Sequence, residues 1–324
     1  VKKLYNAREI IVQVQIWICT VLWNGKEKEG GSGGMGNVII VLGIVLLTAL
    51  MESWRENHVF RTTYYNIQSS KLQKLKRKRK VVVLSDLHNQ CYGKNNQKLL
   101  TAIRRENPDL ILIAGDMLIG KEGISPKPAK EFVSALPAIC DVYYANGNHE
   151  QRMKENTEKY GETYAVYQEQ LKRAGIHFLE NEGVRLSWDG QAVDVYGVEI
   201  PHRYYKKFEN IELPVEEVEN CIGEAFEGHY EILLAHNPVF AKTYLKWGAD
   251  LILSGHLHGG IVRVPKLGGV ITPQARLFPK YSGELTMEGE KAVVVSKGLG
   301  THTFRFRLFN PAEMIVLQIG GEKS

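Results

Sequence analysis

Val81-Val82-Val83-Leu84-Ser85-Asp86-Leu87-His88 is a run of β-branched and aliphatic residues that ends in a carboxylate and an imidazole. Such a run reads as a buried strand. Its C-terminal end is where open α/β sheets place ligands. Residues i and i+2 of a strand share a face, so Asp86 and His88 can hold one ion between them if strand geometry persists that far. On these residues alone, a polar strand end entering a loop is the simpler reading.

Four further polar clusters shift the balance. Leu110 to Ala114 ends in Gly115-Asp116, and Val142 to Ala145 ends in Asn146-Gly147-Asn148-His149-Glu150. Ile232 to Ala235 runs into His236-Asn237-Pro238, and Leu251 to Leu253 into Ser254-Gly255-His256-Leu257-His258-Gly259-Gly260. Five strand ends therefore carry one kind of chemistry, oxygen and imidazole donors. Hard oxygens mixed with imidazoles suit Mn, Fe, Zn or Co rather than Ca or a thiolate-loving metal. Two such ions about 3.5–4 Å apart would clamp a phosphate and lower the pKa of a bridging water.

Between the clusters, helices are expected over Asn96 to Glu106, Ala129 to Leu136, Tyr160 to Ala174, Val215 to Phe226 and near Val239 to Lys246. Short strands are expected at Thr62 to Ile67, Ile176 to Leu179, Val184 to Trp188 and Ala192 to Val198, with Asp189-Gly190 as a hairpin turn. Alternating elements in the first half and mostly strands after Gly260 predict an α/β protein with two stacked sheets and outer helices.

The order Asp-x-His, Gly-Asp, Gly-Asn-His-Glu, His, Gly-His-x-His resembles the calcineurin-like metallophosphoesterase superfamily, over about Val81 to Leu317. Ser85-Asp86-Leu87-His88-Asn89, the Gly255 to Gly260 cluster, Leu277 to Tyr281, Ser296 to Gly300 and Arg307 to Pro311 look similar to the small bacterial membrane-associated branch of YkuE- and YaeI-type phosphodiesterases. The resemblance implies a four-layer α/β/β/α sandwich of two mixed sheets. It implies two divalent transition-metal ions, one held by Asp86, His88 and His258, the other by Asn148, His236 and His256, with Asp116 bridging. His149 is implied to be a non-ligand that stabilises phosphoryl charge or protonates the leaving group. Gly255 and Gly147 are expected to let the backbone turn tightly beside the ions. The implied activity is hydrolysis of a phosphodiester, phosphomonoester or pyrophosphate by a metal-activated hydroxide. Departures from the branch at Ile261, Glu199-Ile200-Pro201 and Arg305 bear on substrate choice more than on metal binding. A non-catalytic scaffold is the alternative from another class, disfavoured because all seven ligands and His149 are present. A nuclease is the third, distinguished by activity on DNA. Of the other histidines, His58, His177 and His229 read as ordinary surface or half-buried residues. His202 and His302 lie near segments that should reach the cleft, but structural roles are favoured for both.

The chain of 324 residues, 44% hydrophobic and 24% charged, is long enough for one large catalytic domain. Cys19, Cys91, Cys140 and Cys221 are widely spaced, which argues against a zinc ribbon, a redox pair or a disulfide framework. Gly36 to Met51 is apolar and uncharged, with Trp54 at an interfacial position. Gly36 to Trp54 gives about 28 Å of helix, close to the roughly 30 Å core of a bilayer. A single-pass anchor in the cell membrane is the expectation. A cleaved signal peptide is disfavoured because no small-x-small site follows.

Much of the net charge of +5 sits in Lys71 to Lys80. That run reads as a solvated connector that can also touch anionic headgroups. A nucleic-acid arm is disfavoured for want of an aromatic platform. Residues 1–34 read as a mis-called leader: Gly30-Gly31 can be encoded by a ribosome-binding purine run upstream of Met35, and Val1 by GUG. The expected organisation is leader 1–34, anchor 35–54, juxtamembrane strand and basic linker 55–80, catalytic domain 81–320 and tail 321–324. A lipid-linked substrate is attractive because anchor and basic run would hold the site near a bilayer. Membrane side, native metals and oligomeric state are open at this level.

Overall fold

The computed structural model describes residues 33–206, 211–260, 263–264, 268–269, 279–301 and 306–321. The expectations for the leader (all but its last two residues), Cys19, Ile261, Leu277-Phe278, His302 and Arg305 fall outside that set. The chain divides into two units, Val1–Ser53 and Trp54–Ser324.

Helix α1 (Gly33–His58) provides the described part of the first unit and the opening turn of the second. It is long and apolar enough to cross a membrane. Ile39, Ile40, Leu42, Leu46, Leu47 and Met51 lie exposed along it, as a helix facing hydrocarbon requires.

The second unit is built on two six-stranded mixed sheets. The first sheet contains β1 (Phe60–Gln68), β2 (Arg79–Leu84), β3 (Leu110–Ala114), β4 (Val142–Ala145), β5 (Ile176–Phe178) and β14 (Ala312–Gly320), in the order β1-β14-β2-β3-β4-β5. The second contains β6 (Glu182–Trp188), β7 (Gln191–Val198), β8 (Tyr230–Ala235), β9 (Leu251–Ser254), β12 (Glu284–Glu288) and β13 (Lys291–Val295), ordered β12-β13-β9-β8-β7-β6. A two-stranded ribbon, β10 (Arg263–Val264) with β11 (Gly268–Gly269), stands apart. Strands β2, β3 and β4 run parallel, as do β7, β8 and β9, so the ends that carry the polar clusters emerge on one side of each sheet.

Strand alternation builds the layers. Val81 and Val83 face inward with Leu112, Ile232, Leu234 and Leu253, forming the core between the sheets. Val82 and Leu84 face outward, where α2 (Gln97–Glu106), α3 (Lys127–Val133) and α6 (Thr163–Arg173) cover them through Leu99, Phe132, Tyr167 and Leu171. On the far side, α7 (Val215–Ile222) and α8 (Ala241–Trp247) cover Leu233 and Ile252 with Val218, Tyr244 and Trp247. The expected four-layer α/β/β/α sandwich is the fold. The Asp189-Gly190 hairpin is present, both residues having positive φ (51° and 83°) as a primed turn requires.

Two expectations need correction. The strand ends at Leu84, so Asp86 and His88 are not brought together by strand alternation. After β4 the chain adds a helix that no expectation covered: Asn148 opens α4 (Asn148–Glu155), with short α5 (Thr157–Tyr160) following it. The basic run, secondly, is no free connector. Lys71 pairs with Asp250 at 2.8 Å, Arg77 with Asp109, Arg79 with Asp189 at 3.1 Å and Lys80 with Glu106 at 3.3 Å. Acidic residues at distant strand and helix ends claim these cations, which local sequence cannot reveal.

Leu112 is fully buried between the sheets, so Leu112→Ala should cost about 2–5 kcal/mol in denaturant unfolding. Lys74, exposed on the same chain's basic run, should change stability by no more than about 0.5 kcal/mol as Lys74→Ala.

Candidate metal centre

Seven of the eight expected residues meet where the polar strand ends converge, and Asn148 directly precedes one of them. Asp86 and His88 follow β2, Asp116 follows β3, and Asn148 and His149 open α4 after β4. His236 follows β8, and His256 and His258 follow β9. Asp86, His88, Asp116, His256 and His258 all adopt positive φ, between 47° and 67°. For non-glycine residues this left-handed region costs roughly 1–3 kcal/mol each unless the surroundings hold it. Backbone bonds do so here: Asp86 N–H donates to Gly115 O at 2.9 Å, and His88 N–H to Asp116 O at 3.1 Å. The turn, not the pleat, aims both side chains inward.

Asp86 Oδ1 lies 3.4 Å from His258 Nε2, 3.7 Å from His88 Nε2 and 3.8 Å from His236 Nε2. Its Oδ2 accepts from the Ser85 hydroxyl at 2.6 Å, and His256 N–H is shared between Oδ1 at 3.1 Å and Oδ2 at 3.2 Å. Asp116 divides its oxygens more cleanly. Oδ1 accepts from His149 N–H at 2.8 Å, while Oδ2 lies 3.0 Å from His236 Nε2 and 3.9 Å from both His88 Nε2 and His149 Nε2. Asp86, His88 and His258 form one group whose donor atoms lie mutually within 4.8 Å, and Asp116, His236 and His256 form another. Asn148 Oδ1 is buried without a hydrogen-bond partner.

Electrostatics bind the cluster together. Burial alone would raise the Asp86 carboxyl, but the imidazoles of His258, His236 and His88 outweigh it and hold the group well below the usual carboxylate range. Asp116 is likewise driven down, against its own burial, by His236, His149 and His88. In return His236 rises to about 10, burial pulling it down but Asp116 and Asp86 pulling harder.

The imidazoles differ in how their outer nitrogens are held. Nδ1 of His88 meets Leu118 O at 3.1 Å, that of His236 meets Ala114 O at 2.7 Å and that of His258 meets Gly300 O at 3.1 Å. A carbonyl only accepts, so these three Nδ1 atoms donate and each neutral ring turns an Nε2 lone pair to the site. His149 is the reverse: Gly120 N–H donates to its Nδ1 at 2.8 Å, so a neutral ring carries its proton on Nε2.

The glycines act by absence of a side chain rather than by turning tightly. A Cβ on Gly255 would stand 2.0 Å from Ser85 Oγ and 2.1 Å from Asp86 Oδ2, and one on Gly147 would stand 2.2 Å from Asp116 Oδ1. Neither glycine has positive φ. Of the residues at the departures, Glu199 is buried under the site loop, accepting from Asn146 at 2.7 Å and Lys154 at 2.6 Å.

Glu150 was not assigned a role from sequence. Its Oε2 accepts from Asp116 N–H at 2.9 Å and Gly147 N–H at 3.1 Å; its Oε1 accepts from Leu118 N–H and the Tyr144 hydroxyl, both at 2.9 Å. A Glu at the third position of a helix opening is the available signal, legible only once a helix is placed at Asn148. Tyr205, whose ring stands 5.3 Å from that of His256, had no sequence signal. His202 lies 3.3 Å from Glu155, His229 is 2.8 Å from Asp194, and His177 stacks on Tyr143. None of the three joins the cluster.

A fold with two mixed sheets and this donor set at their shared edge defines a class, and residues 79–260 match the family model of the calcineurin-like phosphoesterases. The chain belongs to that family and is a metallophosphoesterase, a hydrolase of phosphoric ester bonds. It is similar to the uncharacterized metallophosphoesterase YkuE of Bacillus subtilis (24% identity, over 82% of this chain and 87% of the relative) and to phosphodiesterase YaeI of Escherichia coli (25%, over 74% and 82%). A transmembrane protein with metallophosphoesterase domain from Danio rerio is 24% identical over 89% of this chain and 64% of its own.

All four contacts of Glu150 are donors, so an amide in its place sets N–H against N–H. Glu150→Gln should cost about 1–3 kcal/mol in urea unfolding, with near-wild-type stability counting against the bracing role of this carboxylate.

Proposed function

We propose that the chain is a membrane-anchored phosphohydrolase with a dinuclear centre, in which Asp86, His88 and His258 hold one divalent ion, Asn148, His236 and His256 the other, and Asp116 bridges. The observation that carries the reading is the contrast among the imidazoles. Three have Nδ1 tied to a backbone carbonyl and so turn Nε2, the atom a cation can displace a proton from, toward the buried carboxylates, while the fourth accepts at Nδ1 and turns an Nε2–H inward. The donor chemistry fits Mn, Fe, Zn or Co. The buried Asn148 Oδ1, which has no hydrogen-bond partner, supplies a further oxygen of the kind a cation takes up. The positive charge that the carboxylates now draw onto His236 and His88 is charge that cations would replace, releasing protons. When bound, the two ions would supply charge against the phosphoryl oxygens and a water of lowered pKa.

The protein's own residues do the rest. Leu118, Ala114 and Gly300 carbonyls fix ring orientation, the outer support that metal-binding histidines characteristically need. His149, with Nε2–H turned toward the site and its ring 4.9 Å from that of His88, would donate to a phosphoryl oxygen or to the leaving oxygen. His149→Ala should leave about two ions per chain by elemental analysis while lowering the rate 10²- to 10⁴-fold. Asp116→Asn should lose or loosen both ions. Wild-type protein that takes up no transition metal at any loading would end the dinuclear reading.

Membrane anchoring rests on α1 and on the name carried by the zebrafish relative. The ion-paired basic run supports it less than composition implied, since Lys71, Arg77, Arg79 and Lys80 are engaged by the fold. A substrate presented at a bilayer, such as a lipid phosphodiester, is the class this placement favours. A panel of aryl phosphodiesters, nucleotides, DNA and lipid phosphates tests it. Full-length protein should stay with membranes in high salt and leave only with detergent; release by salt alone would show that α1 is no anchor.

A further inference from the structure

Glu56 lies in the last turn of α1, outside the segment that matches the family, yet its side chain is only 2% exposed. A carboxylate just beyond an apolar helix would ordinarily reach for water. Here its Oε2 instead accepts from Asn310 N–H at 2.9 Å. Asn310 is itself completely buried, and its Nδ2 donates to His258 O at 2.6 Å and Gly260 O at 2.9 Å, on the loop that carries two of the site histidines.

The corner around Asn310 is held from the other side by Arg307. This buried guanidinium donates to Asn310 O at 3.1 Å and to Gly300 O at 2.8 Å, and Gly300 O is the carbonyl that receives His258 Nδ1–H. Phe309 between them has φ 55°, a strained backbone that needs such support. Gly259 is packed so closely that a Cβ there would stand 2.4 Å from Asn310 Oδ1. The next helix residue makes a second tie: Asn57 O accepts from Gln90 Nε2 at 3.2 Å, two residues past His88.

We propose that Glu56 is a positioning residue for His258, acting through Asn310, so that the end of the apolar helix completes the shell around one metal position. The proposal rests on the reading of His258 as a ligand. It makes the segment following the anchor part of the catalytic apparatus rather than a tether.

Full-length protein in detergent, stripped with chelator and titrated with Mn²⁺ while free Mn²⁺ is followed by electron paramagnetic resonance, tests it without recourse to activity. Glu56→Ala should weaken one of the two Mn²⁺ sites about tenfold or more and leave the other unchanged. Glu56→Gln, whose amide oxygen still accepts from Asn310 N–H, should recover most of that affinity. If Glu56→Ala does not fold, Glu56→Asp decides: it keeps the charge but falls short of Asn310, and the same selective loss is expected. Wild-type affinity at both sites, or equal weakening of both, would overturn the role. His258→Ala is the reference. If it leaves Mn²⁺ binding untouched, the ligand reading fails; if it abolishes one site while the Glu56 variants do not weaken it, only the positioning role fails.

Discussion

Two carboxylates, Asp86 and Asp116, are buried within 4 Å of the same two imidazole nitrogens, those of His88 and His236. Burying an ionised carboxylate costs several kcal/mol unless opposite charge and hydrogen bonds compensate it. Nearly every other feature of the site answers that constraint. Imidazoles crowd both carboxylates, and backbone or hydroxyl donors satisfy the oxygen positions the imidazoles leave. The same demand for positive charge that raises His236 would be met by divalent cations, which is why metal binding and the stability of this end of the sandwich are one problem.

The constraint extends outward to the backbone. The donors converge from five separate strand ends, and five of the site residues turn through the left-handed region to do so. That strain is tolerated because the strand ends are clamped on two sides. The inter-sheet core around Val83, Leu112, Leu234 and Leu253 fixes where the strands stop. Beyond it, Glu150 gathers four donors and ties the Asp116 loop to the opening of α4, while Arg307 gathers four carbonyls from residues 297–300 and 310. The chemistry sits on loops whose precision comes from buried charged residues that themselves never face the cleft.

Much of this was legible. β-branched runs at Val81, Leu110, Ile232 and Leu251 marked buried parallel strands because a strand covered on both faces needs apolar residues at every position. The polar residues directly after them marked the site. Local geometry was not legible: Asp86 and His88 have the spacing of strand residues, but bonds to Gly115 and Asp116 impose a backbone reversal there. The helix at Asn148 is hidden because its opening is stabilised by Glu150 and Asp116 rather than by its own propensity. The basic run misled for a similar reason, its acidic partners lying elsewhere in the chain.

By itself, the sequence determined which atoms are available and on which strand ends they ride, because donor identity and the two-residue period of a strand are local properties. It also determined an apolar helix of membrane-spanning length. Tertiary structure alone decided which imidazole nitrogen faces inward, since that depends on whether a carbonyl or an N–H from another loop meets Nδ1. It alone decided that Glu150 reaches Asp116 and Leu118 and that Glu56 reaches Asn310, since hydrogen bonds between residues 32 to 254 positions apart leave no local pattern to read.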